Sequence, residues 1–225
     1  MKGGDVDTVA DLTSRLKALY ERVCPPVRER RAVIPDLVDE LVRLYSQPHR
    51  HYHNLLHVQE CLREFDEVSS TCKDPAAVEM AIWYHDIIYE PTADSNERLS
   101  ANKASFDCLR LGILHRSFVE RVVEFILATG PGGSVKAEAA MVVDADLAIL
   151  GASMEKFAEY EGQIRKEYAH VPEKDYVAGR TLILDGFMRR PTIFSTEHFK
   201  TKYERTAHAN IARSLMSLAI GGRNA

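Results

Sequence analysis

The segment Ala81-Ile-Trp-Tyr-His-Asp-Ile-Ile-Tyr89 sets an imidazole beside a carboxylate inside a run of bulky apolar residues. Such a run belongs in a protein interior, and burying His85 and Asp86 there without partners costs several kcal/mol. The partner that compensates both groups at once is a divalent cation. Further ligands are available on either side. His57 lies in His53-Asn-Leu-Leu-His57, and Asp144 and Asp146 lie in the apolar stretch Val142-Val-Asp-Ala-Asp-Leu-Ala-Ile-Leu150. The chain must therefore fold so that distant segments meet at the His85-Asp86 pair.

The rest of the sequence reads as helices. Apolar residues recur at helical spacing from Thr8 to Val23, ahead of Cys24-Pro25-Pro26, and again from Ile34 to Tyr45. Ser46 to Asn54 is a polar loop crowded with histidines. Asn54 suits the cap of a helix whose buried face is Val58, Cys61, Leu62, Phe65 and Val68, with His57 on the same face. Asp74-Pro75 opens a helix that carries His85-Asp86 near its C-terminal end and is closed by Pro91. Asp94-Ser-Asn-Glu97 has the form of a capping box, with a helix expected to follow to about Leu111. Further helices are expected over Phe118–Ala128, Ala137–Leu150, 153–169, 174–189 and 197–219, and Gly130-Pro-Gly-Gly133 is the clearest break. No segment alternates with a two-residue period. The expected fold is all-α: one domain over 1–225, with 152–225 as a C-terminal helical extension.

Composition narrows the function classes. The net charge of −4 gives no electrostatic footprint for a nucleic acid polymer. The apolar runs are too short to span a bilayer, and the N-terminus lacks the apolar core of a signal peptide, so the expectation is a cytoplasmic protein. The four cysteines, at 24, 61, 72 and 108, show no paired spacing for a thiolate zinc site or a disulfide framework.

Two imidazoles and two carboxylates form a mixed nitrogen and oxygen donor set suited to Mn, Mg, Co, Ni, Fe or Zn. Four protein ligands leave room in an octahedral shell, the mark of a catalytic rather than a structural site.

These residues carry a resemblance. His57, His85-Asp86 and Asp146 resemble the H…HD…D signature of the HD superfamily of metal-dependent phosphohydrolases. The segments Arg50–His57, Trp83–Tyr89, Asn96-Glu97 with Ser100-Ala101, and Asp144–Gly151 look like a bacterial subgroup of that superfamily. So do Ile164–Tyr168, Gly179-Arg180 and Ala207–Asn210, and the likeness extends over roughly 10–215. It implies an all-helical HD fold with the metal between core helices. It favours Asp146 over Asp144 as the ligand, because Asp146 directly precedes the leucine. Related enzymes with two metals carry extra histidines between the pair and the last aspartate. Here His115 is the only one, so a single ion is expected.

The activity the resemblance implies is hydrolysis of a phosphate ester or phosphoanhydride in a small molecule, such as a nucleotide. A cation polarises the phosphoryl oxygen and lowers the pKa of water from near 16 toward about 7. Beside Asp86, Glu90 and Glu97 are the candidates for taking the remaining proton. Arg50, His53 and Asn54 could line the phosphate pocket, and Arg165 and Arg180 could reach the substrate from the C-terminal half. Helical salt bridges to Glu161, Glu167 or Asp185 are the alternative for these two arginines. A diiron oxygenase and a non-catalytic helical binding module are the competing functions. The sequence leaves the oligomeric state open.

Overall fold

The computed structural model describes residues 3–130 and 138–221, and among these there is no β-strand. The helices are α1 (Gly3–Val23), α2 (Arg28–Arg31), α3 (Ile34–Tyr45), α4 (Leu55–Asp66), α5 (Pro75–Tyr84), α6 (Asn96–Arg110), α7 (Arg116–Ala128), α8 (Ala139–Leu147), α9 (Met154–Glu167), α10 (Glu173–Met188) and α11 (Glu197–Gly221). Two 3-10 turns, Ser69–Thr71 and Ala148–Gly151, complete the order. The fold is all-α, as the periodicity requires. No described helix is long and apolar enough to cross a membrane.

The chain divides into two compact units, residues 1–143 and 144–225. The division falls inside α8, upstream of residue 152 where the sequence places the start of an extension.

In the first unit α5 is the central element. Every residue from Ala77 to Tyr84 is buried, and α5 packs against α1, α4, α6 and α7. A helix apolar all round can be stable only with neighbours on every side, and α5 has them. Its few polar atoms are met within the unit. The Tyr20 and Tyr84 hydroxyls lie 2.7 Å apart, and the Tyr84 hydroxyl donates to Asp107 at 3.0 Å. Asp107 also accepts from Lys103 and Arg110. Glu79 receives the guanidinium groups of Arg15 and Arg22. Asp74 caps the start of α5 by accepting from the Ala77 N–H.

Three local expectations change. α5 stops at Tyr84 rather than at Pro91, because the carbonyls that follow are taken by side chains of another segment, described below. The α6 cap is Ser95, without a side-chain hydrogen bond, so the Asp94/Glu97 capping box does not form. The break at residues 131–133 and the expected helix start at Ala137 lie outside the described residues. Elsewhere the boundaries agree closely. α3 runs over the expected span, and α6 ends just before Gly112, whose φ of +74° reverses the chain as a C-terminal glycine does.

The second unit is built from the turn at Ala148–Gly151 and α9 to α11. Tyr203 of α11 packs so closely on Gly151 that a β-carbon there would sit 2.4 Å from the Tyr203 β-carbon. Only glycine fits. Asn210 completes the joint by donating to the carbonyls of Leu150 and Ala152, each at 2.9 Å.

Candidate metal centre

The site in the first unit grows from the end of α5 and the start of α4. His85 is the residue that closes α5 and is 1% exposed. Its Nδ1 lies 2.8 Å from the Ile82 carbonyl oxygen, which can only accept, so Nδ1 carries the proton. In the neutral ring Nε2 is then a lone pair, the tautomer that metal-binding imidazoles adopt when a backbone carbonyl holds the other nitrogen. His57, in the first turn of α4, brings its Nε2 to 3.1 Å from His85 Nε2. Asp86 Oδ2 lies 3.1 Å from His85 Nε2, 3.7 Å from His57 Nε2 and 4.0 Å from His53 Nε2.

These separations fit a metal site. A lone pair and a carboxylate oxygen 3.1 Å apart need a proton or a cation between them, and a single cation would satisfy all three atoms at once. With metal–nitrogen bonds of about 2.1 Å, adjacent donors around one ion are roughly 3.0–3.4 Å apart, which brackets the two shorter contacts. The donor chemistry therefore fits a metal. A looser grouping leaves out Asp86: ligand atoms of His57, Cys61 and His85, all buried, lie within 4.8 Å of one another and belong to a set that could hold a metal ion.

A second layer holds the site in place. Arg50, 5% exposed, donates to the carbonyls of His53 (2.8 Å), Asp86 (2.8 Å) and Ile87 (2.9 Å), and its guanidinium lies over the rings of Tyr45 and Tyr89. Tyr45 donates to the Trp83 carbonyl at 3.1 Å, and burial pushes its hydroxyl well above the ordinary tyrosine range, so it stays a donor. These bonds claim the carbonyls that an extended α5 would have used, which is why the helix ends there. His53 stacks on Tyr89 with ring centroids 4.2 Å apart, and Tyr52 tilts against His57. His49 is half-buried, with its Nε2 3.1 Å from the Tyr89 carbonyl.

The other sequence candidates have different surroundings. Asn54 is an N-cap: its Oδ1 accepts from the Leu56 N–H at 2.9 Å. Glu90 is exposed and its carboxylate accepts from Thr92, while its backbone is pinned by Asn96. The Glu97 side chain lies against Gly130, where an added β-carbon would meet it at 3.2 Å. Arg165 binds Glu173 and the carbonyls of Tyr168 and Val171. Arg180 binds Glu161 and the Tyr160 hydroxyl and is buried. Both arginines thus make the salt bridges of a helical unit, one of them to Glu161.

Asp144 has backbone partners of its own. Asp144 is fully buried and accepts from the N–H groups of Ser195 (2.9 Å) and Thr196 (2.7 Å). Burial raises its carboxyl above the usual aspartate range, against the lowering effect of those bonds. Replacing Asp144 with alanine leaves two N–H groups short of acceptors. The expected cost is about 2–3 kcal/mol, seen as a lower unfolding midpoint with metal content unchanged. Asp146→Ala should do the reverse, losing metal with little change in the midpoint. Metal analysis and thermal unfolding of the two variants side by side check this, and metal loss confined to Asp144→Ala would reverse the assignment.

Cys61 is a potential ligand that sequence reasoning passed over. A signal existed: it stands four residues after His57, on the same helix face. Comparison with protein-family models, with curated proteins and with solved structures found no match for this chain.

Proposed function

We propose that the chain is a metal-dependent phosphohydrolase of the HD type, acting on a phosphate ester or phosphoanhydride of a small molecule such as a nucleotide. The observation that carries the reading is the convergence of His57 Nε2, His85 Nε2 and Asp86 Oδ2. In this reading these residues and Asp146 hold one divalent cation. When bound, the ion supplies a Lewis acid for a phosphoryl oxygen and a lowered pKa for water.

The chain's own residues do the remainder. Asp86 has a partly exposed carboxylate, so it reaches both the buried imidazoles and solvent. His53, held against Tyr89 by stacking, is the nearest additional imidazole to that carboxylate and fits an orienting role. Arg50 acts by fixing the loop and the His85-Asp86 turn together rather than by gripping phosphate. Glu90 and Glu97 stay as the alternatives for taking a proton from water, though neither hydrogen-bonds to His57, His85 or Asp86 among the described residues. The formal charge of −4 agrees with a small phosphorylated substrate rather than a nucleic acid polymer.

The test is a metal count on the purified chain, followed by a panel of nucleotides and phosphomonoesters with Mn, Mg, Co, Ni, Fe and Zn. About one equivalent of metal is expected, with phosphate release that a chelator stops and added metal restores. Stoichiometric metal without phosphate release across the panel would end the hydrolase reading. Two irons per chain would replace it with a diiron oxidase or oxygenase.

A further inference from the structure

We propose that α10 is the contact face of a symmetric homodimer, in which two copies of the chain lay their α10 helices against each other antiparallel.

The observation is a helix face left uncovered. Tyr176, Arg180 and Leu184 form the buried side of α10. On the opposite side, the exposed residues between Asp175 and Arg189 are Ala178, Gly179, Leu182, Ile183 and Gly186. With 3.6 residues per turn these five share one face. Leu182 is 73% exposed and Ile183 is 52% exposed. Single apolar residues on a surface are ordinary, but a continuous strip of more than two turns without a polar side chain is not. The two glycines add to this. Glycine inside a helix is destabilising relative to alanine, and packing within the chain does not account for either one. A β-carbon added to Gly179 or Gly186 would meet nothing within 4 Å. Bare backbone at both positions lets another surface approach closely.

The order of residues along the face indicates which surface that is. A two-fold axis passing between Leu182 and Ile183 sets Leu182 of one copy against Ile183 of the other. The same axis pairs Gly179 with Gly186, Ala178 with Phe187, and Asp175 with Arg190. Apolar thus meets apolar, the glycines meet at the closest approach, and a small side chain faces a large one. Opposite charges meet at both ends. Asp175 stands in the first turn, and Arg190 follows the last, with its guanidinium over the Phe187 ring. Both are exposed, and Arg189 adds a second positive charge beside Arg190. A face that matches itself under a two-fold rotation is what an isologous dimer requires. Antiparallel helices also bring the positive end of each dipole beside the negative end of the other. The helix has 16 residues, and two such helices in contact bury about 1,000 Å² in total, the lower limit for a specific interface. The dimer should therefore dissociate in the micromolar range.

The test is equilibrium sedimentation of the full chain from about 5 to about 200 µM, alongside variants checked for helical content. The unmodified chain should pass from monomer to dimer within that range. Leu182→Glu should weaken the dimer by at least roughly 30-fold, the scale of a central contact residue. Asp175→Arg and Arg190→Asp should each weaken it by roughly 10-fold, since each places like charges together at both ends. The two reversals combined should dimerise more tightly than either alone. Gly179→Gln introduces a better helix former, so it should raise the unfolding midpoint of the monomer and yet weaken the dimer. Stability and association then move in opposite directions, which a purely structural role for Gly179 would not produce. A chain that stays monomeric throughout, or a dimer that Leu182→Glu leaves unchanged, would overturn the proposal. So would a double reversal that associates no better than the single ones.

Discussion

His85→Ala should give a folded chain that neither retains metal nor releases phosphate. His85 is the hub of the cluster, 3.1 Å from His57 Nε2 and 3.1 Å from Asp86 Oδ2, and it presents a lone pair because its other nitrogen is committed to the Ile82 carbonyl. Alanine removes the donor, and no neighbour on the tightly packed α5 can move in to replace it. Metal affinity should fall by at least roughly 100-fold. On the proposed reading, phosphate release should fall by roughly 1,000-fold, since the ion would supply both the Lewis acid and the activated water. The structural cost is smaller: about 1 kcal/mol for the lost bond to Ile82 plus about 2 kcal/mol for the space left by the ring. Elemental analysis after gel filtration, phosphate release and circular dichroism report these separately. A His85→Ala chain that still carries one equivalent of metal would show that the cluster is a hydrogen-bonded core and not a site.

The second large effect belongs to Arg50. If its guanidinium were a phosphate clamp, lysine would be a tolerable replacement, raising KM and leaving stability alone. The geometry says otherwise. Three carbonyls, those of His53, Asp86 and Ile87, accept from one planar fork that also lies over the rings of Tyr45 and Tyr89. A lysine ammonium is a point donor on a flexible stem and cannot reproduce that fork. Arg50→Lys should therefore cost about 3 kcal/mol and Arg50→Ala about 4–5 kcal/mol, with metal affinity reduced in both. Urea unfolding with metal titration checks this. A lysine variant of unchanged stability and metal affinity, with only KM raised, would restore the role of Arg50 as a substrate residue.

The helices were legible because each presents an apolar face at a regular spacing, as α3 does with Ile34, Leu37, Val38 and Leu41. α5 was legible despite lacking a polar face, since a ten-residue run broken only by Glu79, with Asp74-Pro75 at its start, has few other solutions. His57, His85 and Asp86 stood out because polar groups in such runs demand partners, and the three do meet. What escaped the sequence depends on directions in space. The end of α5 is set by donors from Tyr45 and Arg50, and nothing in the local sequence of α5 marks it. The cap of α6 falls one residue later, at Ser95, whose side chain makes no capping bond, so no cap chemistry marks it in the sequence. α2, four polar residues long, has no periodicity to read. Cys61 was visible as the residue four places after His57, but a search for paired cysteines looks past a single thiol beside a histidine.

The burial of α5 on every side has one more implication. An element gripped by four neighbours cannot be turned about its axis without dismantling the unit, so the bearing of the imidazole at its end is fixed. Variation around the site must then arise at the exposed positions of the flanking segments, such as Ser46, Pro48 and His51 on one side and Glu90, Thr92 and Asp94 on the other, and not at buried Arg50 or Tyr52. On the proposed reading, the helix holds the ligand still and the exposed loop positions are where selectivity would be set.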